Sequence, residues 1–246
     1  MKDTLKIKFK EMIGFLENYV GRMKITEVDD FLKKKIPVPL LWFYQYVEER
    51  IDDVIIYNQF VPSSKLNFNN RILVFYIYEG DTCRWGVENG KDKNVVKINE
   101  DKNITYEENN LVDFLFQICI YEVCHSLDFN LMFFGRHEEV DKIKEKWSKF
   151  PFVDRKTEDD FPNEFYHKTG AIGFVWRGKK GSTFYCGAKN TQNLEFMKEF
   201  TFSKGLKNDD IYTDPKIRLE KGYWDFYRDG ESCKEGEFWG SSGEQN

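Results

Sequence analysis

The chain has 246 residues, of which 41% are hydrophobic, 32% charged and 17% aromatic, with only 17 Gly and 6 Pro. These proportions exclude collagen-like, low-complexity and disordered chains and leave enough apolar mass for a sizeable core. A formal charge of −5, from 37 basic and 42 acidic residues, removes any global electrostatic case for direct nucleic-acid binding.

Leu5, Phe9, Met12, Leu16 and Val20 recur at helical steps, and Gly21 is a natural stop. The early lysines (Lys2, Lys6, Lys8, Lys10) have no apolar run behind them, so the segment does not read as a secretory leader. Lipidation motifs are missing, and the most apolar stretch, Leu111–Val123, carries Asp113, Gln117 and Glu122. It falls short of the ~20 apolar residues of a membrane span. The five cysteines (Cys83, Cys119, Cys124, Cys186, Cys233) lack paired spacing. Free thiols in a reducing cytoplasm are the expectation.

After Lys33–Lys35, Pro39 suits the first turn of a second helix whose apolar face is Leu40, Phe43, Tyr44, Val47 and Ile51. The pattern then changes to short β-branched and aromatic runs at Val54–Tyr57, Ile72–Tyr78, Arg84–Val87 and Val95–Ile98. Turn residues separate them (Ser63-Ser64, Asn69-Asn70, Gly80-Asp81, Asn89-Gly90), so antiparallel strands are expected. Asn109 or Asn110 can cap the next helix, which runs to about Cys124, is apolar nearly all round and belongs in an interior. Leu131–Phe134 reads as a strand, Glu138–Phe150 as a polar helix, and 151–164 as loop. Gly173–Trp176 and Thr183–Cys186 are two more strands, joined by the basic tip Arg177–Gly181, and Thr191–Phe200 reads as a helix. From Asp209 onward the chain is aromatic and acidic, with ten acids against five bases. It is either a closing layer of the core or part of a partner surface. The order predicts an α+β fold: one domain over 1–246, with a mostly antiparallel (mixed) sheet of about six strands packed with helices.

Motifs for nucleotide binding, zinc proteolysis or serine hydrolysis are missing from the sequence. Cys119, Cys124 and His125 are the nearest approach to a metal set, but a second ligand pair is lacking, and buried thiols beside a helix-end histidine explain them better. The same residues could supply a Cys–His nucleophile only if they met in a cleft. We therefore expect no catalytic, cofactor-binding or metal residues.

The specific signal lies in Asn58–Glu100 and its surroundings. Pro37, Leu40, Phe43 and Tyr44 form a proline-led helix pattern. Phe75-Tyr76 close an aromatic strand before Glu79, Trp85-Gly86-Val87 form the next, and Asn94-Val95 open another. Gly170–Phe174 and Tyr185–Asn190 follow in the second half. In this order and spacing the chain resembles the SUKH superfamily over about residues 5–205, leaving about 209–246 as an acidic aromatic extension. That superfamily includes cell-wall and glucan-synthesis regulators and bacterial immunity proteins. The resemblance implies a cytoplasmic, non-catalytic binding protein that neutralises a toxin domain, often a nuclease, from a polymorphic or contact-dependent system. The alternative it implies is a regulatory scaffold of the glucan-synthesis type; a small enzyme is the third reading. Occlusion of a basic nuclease groove would call on acidic residues, and the candidates are Glu107, Glu108, Glu158, Asp159, Asp160, Asp209 and Asp210. Gly86 beside Trp85 marks a bulge or a close backbone approach.

Overall fold

A computed structural model describes residues 2–67, 71–78, 82–88, 95–107, 109–151, 154–155, 161–201, 206–207 and 215–239. The chain divides into two compact units, Met1–Val123 and Cys124–Asn246. Among the described residues no helix is long and apolar enough to cross a membrane.

The first unit begins with α1 (Lys2–Val20), whose Phe9, Met12, Ile13 and Leu16 are buried at helical spacing. The helix ends where Gly21 turns to φ +83° and its N–H bonds the Glu17 carbonyl at 3.1 Å, a left-handed stop that glycine accepts without Cβ strain. The basic run Lys33–Lys35 closes α2 (Asp30–Lys35), on the side favoured by the helix dipole. Pro37 caps α3 (Val38–Val47), Pro39 lies in its first turn, and Leu40, Phe43, Tyr44 and Val47 are buried. A turn of 3-10 helix leads into the short α4 (Ile51–Val54).

Five antiparallel strands follow in spatial order β1-β2-β3-β4-β5. They are β1 (Gln59–Phe60), β2 (Ile72–Tyr78), β3 (Cys83–Glu88), β4 (Val95–Asn99) and β5 (Ile104–Tyr106). Phe43 and Tyr44 pack on Phe60, with ring centroids 4.7 and 5.3 Å apart, and Phe60 packs on Phe75 at 5.8 Å. Trp85 is fully buried among Tyr76, Tyr78 and Phe114. The register of β2 against β3 shifts between Val74 and Tyr76, which places a bulge at Phe75. Gly86 faces Val74 at this point, and both readings of that glycine hold. α5 (Leu111–His125) is buried at every residue from Leu111 to Cys124. The Asn110 side chain accepts the Asp113 N–H at 3.1 Å and donates back to its carboxylate at 2.8 Å. Lys8 completes that helix end with 2.8 and 2.9 Å contacts to Asp113.

The second unit contains an eight-stranded sheet of order β11-β12-β6-β10-β9-β8-β7, with β13 also paired to β12. Its elements are β6 (Phe129–Gly135), α6 (His137–Lys144), β7 (Ser148–Lys149), β8 (Glu164–Lys168), β9 (Ala171–Arg177), β10 (Ser182–Ala188), α7 (Lys198–Thr201), β11 (Leu206–Lys207), α8 (Pro215–Lys221), β12 (Tyr223–Arg228), β13 (Glu231–Cys233) and α9 (Glu235–Trp239). β9 and β10 form the expected hairpin across the basic tip. The aromatic C-terminal segment is a closing layer of this core. β12 pairs along β6, setting Trp224 opposite Phe133, and Trp224, Phe226 and Phe238 are buried.

The α+β class holds, but one sheet of about six strands becomes sheets of five and eight strands. Two-residue strands such as β7 and β11 are too short to show alternation, and β12 lies in the segment expected to be an extension. Val54–Tyr57 is not a strand. Val54 ends α4, and the N–H groups beyond it bond a side-chain carboxylate instead of a sheet neighbour. The helix expected over Glu138–Phe150 stops at Lys144, because Ser148 and Lys149 pair with β8. The helix expected over Thr191–Phe200 is present as a 3-10 helix over Thr191–Met197 continued by α7, with Leu194 and Met197 buried.

An ion-pair network braces the second sheet. The Arg177 Nε donates to Glu164 (2.7 Å), its Nη2 to Asp141 (2.6 Å) and its Nη1 to the Ser182 hydroxyl (3.2 Å). Lys144 bridges Glu164 and Asp141 at 2.9 and 3.0 Å, and the Tyr166 hydroxyl also donates to Glu164. Burial would push the Glu164 carboxyl up, but hydrogen bonds from Tyr166, Arg177 and Lys144 outweigh it and hold it at about 2.

Two expectations follow. A Cβ at Gly86 would stand 2.6 Å from both the Leu73 carbonyl oxygen and the Ile72 methyl, so Gly86→Ala is expected to lower stability by about 2–3 kcal/mol, read by denaturant melts. The depressed Glu164 carboxyl stabilises the fold above its ordinary value of 4.5, and that stability drains as pH falls from 4.5 toward about 2. The expected loss across this window is about 1–2 kcal/mol after solvent screening. Glu164→Gln is expected to flatten acid unfolding there.

Candidate protein-interaction site

The site is built around a buried carboxylate held by neutral donors. Glu122, near the end of α5, is 0% exposed. Its Oε2 accepts the backbone N–H groups of Ile56 (3.0 Å), Tyr57 (2.8 Å) and Asn58 (3.4 Å). Its Oε1 accepts the Asn58 side-chain amide at 2.7 Å and the Tyr76 hydroxyl. The Asn58 amide also donates to the Tyr76 oxygen at 2.9 Å. Such dipoles stabilise a carboxylate that burial has removed from water. Burial and the adjacent Glu122 charge push the Tyr76 hydroxyl well up, so it stays a donor.

Fixing three successive N–H groups inward turns the neighbouring side chains outward. Ile56 is 55% and Tyr57 57% exposed, two adjacent apolar side chains on a tethered backbone. The Tyr57 ring rests edge-on against Tyr121, centroids 6.3 Å apart. Glu49, Asp52 and Asp53 precede this knuckle in the chain, all exposed, with Asp53 paired to Arg50 at 2.7 Å. The knuckle is therefore a rigid apolar pair behind an acidic approach.

Of the acidic candidates read from the sequence, Glu107 is described. It is half-buried, and its carboxylate accepts the Trp85 indole N–H at 3.0 Å. Lys97 lies 5.4 Å over the same indole. Glu107 thus seats the tryptophan of the family-like pattern. Glu108, Glu158, Asp159, Asp160, Asp209 and Asp210 lie outside the described residues, as do Glu79, Asn94 and the turn pairs Asn69-Asn70, Gly80-Asp81 and Asn89-Gly90.

Cys119, Cys124 and Cys186 are free and fully buried, and burial pushes all three thiols up, away from the thiolate a nucleophile or metal ligand needs. His125 stacks on Tyr185 and Phe174, at 4.7 and 5.5 Å. Among the described residues no group of three or more His, Cys, Asp or Glu is placed to hold a metal ion. A pair that sequence spacing gave no hint of joins His137 Nδ1 to the Ser182 hydroxyl at 2.7 Å, but Ser182 is buried and already accepts from Arg177. A cleft of about 600 Å³ in the second unit has an apolar floor of Phe133, Ile143 and Trp224. Its rim carries both signs, and the ion pairs Arg136–Glu139 and Lys146–Glu199 neutralise much of it.

In the sequence alone Glu122 is only an interruption in an apolar helix. Its partners at 56–58 lie 64 to 66 residues away, and no local pattern could couple them. Glu122→Gln keeps the shape but turns an acceptor oxygen into a donor amide. It is expected to cost about 2–3 kcal/mol and to raise hydrogen exchange at the Ile56, Tyr57 and Asn58 amides above that of the β3 amides. No protein-family model, curated protein or solved structure matches this chain.

Proposed function

We propose that this chain is a cytoplasmic, non-catalytic protein-binding module of the immunity type, which neutralises a toxin domain by covering its working surface. The observation that carries this reading is the knuckle at Ile56 and Tyr57, exposed on a backbone held by Glu122. Tyrosine on a rigid frame is a frequent centre of binding energy. The acidic residues ahead of it, Glu49 and Asp52, suit a basic partner such as the phosphate-binding groove of a nuclease. Support also comes from the residues that carry the SUKH resemblance. Phe43, Tyr44, Phe75, Tyr76 and Trp85 are all fully buried in the first unit, and Gly86 sits at its bulge.

The test is protection of cells, and in vitro binding, against toxin domains encoded beside this gene. Tyr57→Ala is expected to weaken the complex by about thirtyfold, roughly 2 kcal/mol. Glu49→Lys with Asp52→Lys should slow association and reduce its salt dependence. Lack of protection against every adjacent toxin, or undiminished binding by Ile56→Ala and Tyr57→Ala, defeats the reading. A pull-down returning several housekeeping partners and no toxin would point to the regulatory scaffold instead.

A further inference from the structure

The open edge of the first sheet fits a second copy of this chain. β5 ends the order β1-β2-β3-β4-β5 and, among the described residues, pairs with β4 alone. The Glu107 N–H donates to the Val95 carbonyl at 2.9 Å and the Asn99 N–H to the Asn103 carbonyl at 3.1 Å. Antiparallel pairs alternate between bonded and non-bonded. With Thr105 opposite Lys97, residues 103, 105 and 107 therefore hold β4, and the N–H and C=O groups of Ile104 and Tyr106 face away from the sheet.

The side chains of those two residues are 47% and 54% exposed. They share the face of the sheet that carries Val96, Ile98 and Gly86, opposite the face filled by Trp85. Natural proteins guard an open edge with short strands, Lys, Pro or a charge; β5 is short, but residues 103–107 contain no Lys or Pro, and their one charge, Glu107, accepts the Trp85 indole N–H.

We propose that residues 103–107 pair antiparallel with the same residues of a second copy, about a two-fold axis at Thr105. This register is self-complementary. Ile104 lies opposite the partner's Tyr106 and Tyr106 opposite the partner's Ile104. Both residues present outward N–H and C=O groups, so the two pairs exchange four backbone hydrogen bonds. The side-chain pairs are aliphatic with aromatic, a favourable cross-strand combination. Thr105 faces the partner's Thr105, Asn103 faces the partner's Glu107, and no like charges meet. The interface is isologous and closes at two copies.

Sedimentation over a wide concentration range is expected to show a monomer–dimer equilibrium. Ile104→Pro removes an outward N–H without touching the bonds to β4 and is expected to weaken the dimer by about tenfold or more. Thr105→Cys puts two thiols at a non-hydrogen-bonded pair, with Cα atoms about 4.5 Å apart. Mild oxidation is expected to lock this variant as a disulfide dimer. The wild type serves as control for the native thiols, of which Cys83, Cys119, Cys124 and Cys186 are buried. If Ile104→Pro fails to fold, the Thr105→Cys result decides. A wild type that is monomeric at every concentration, or a Thr105→Cys variant that stays unlinked, overturns the proposal.

Discussion

A single buried carboxylate sets the internal geometry of the first unit. Among the described residues Glu122 is met by five neutral donors from two places in the chain, the 56–58 backbone with its Asn58 side chain and the Tyr76 hydroxyl on β2. Removing water from a carboxylate costs several kcal/mol, even after relaxation, and each charge-assisted hydrogen bond returns about 1.5–3. Loss of any one donor would leave part of the carboxylate's hydrogen-bonding capacity unmet. Segment, helix and strand are thereby tied to one another, and the loop after α4 is defined by a charge rather than by propensity.

The second unit solves a similar problem by pairing. Arg177 and Lys144 face Glu164 and Asp141, two charges of each sign. The two designs differ in what disturbs them. The Arg177 set depends on charges that salt screens, whereas the Glu122 cluster depends on neutral donors whose backbone must stay in place. The surroundings differ as well. The Arg177 set is partly open to water, and Coulomb attraction there is screened. Glu122 is fully buried, so the loss of one donor is not made good by solvent.

What the sequence discloses depends on how far apart the interacting residues are. Phe43, Tyr44 and the α5 face follow helical spacing, and the burial of Trp85 with a bulge near Gly86 follows from a glycine beside a large aromatic in a strand. Those features are local. The misread strand at Val54–Tyr57 is β-branched and aromatic, and its composition is honestly strand-like, but its N–H groups bond Glu122. The C-terminal aromatics were ambiguous for a related reason. Tyr223–Arg228 becomes a strand through pairing with β6, some ninety residues upstream, and acids scattered among its aromatics mask the alternation. The acidic runs proposed as contacts from charge alone leave only Glu107 within the described residues, where it seats an indole. The knuckle was invisible because its exposure is created by a distant carboxylate.

That origin bears on how tightly such a knuckle could bind. Ordering the backbone of one residue costs about 1–2 kcal/mol. A loop that arrived disordered would carry this cost at residues 56, 57 and 58 when a partner docked, roughly 3–6 kcal/mol in all. With their N–H groups already held by Glu122, the cost is met during folding and the contacts of Ile56 and Tyr57 count in full toward association. A difference of that size is two to four powers of ten in dissociation constant. The same buried charge that makes the first unit vulnerable to a single substitution is therefore what would let two exposed side chains make a strong contact.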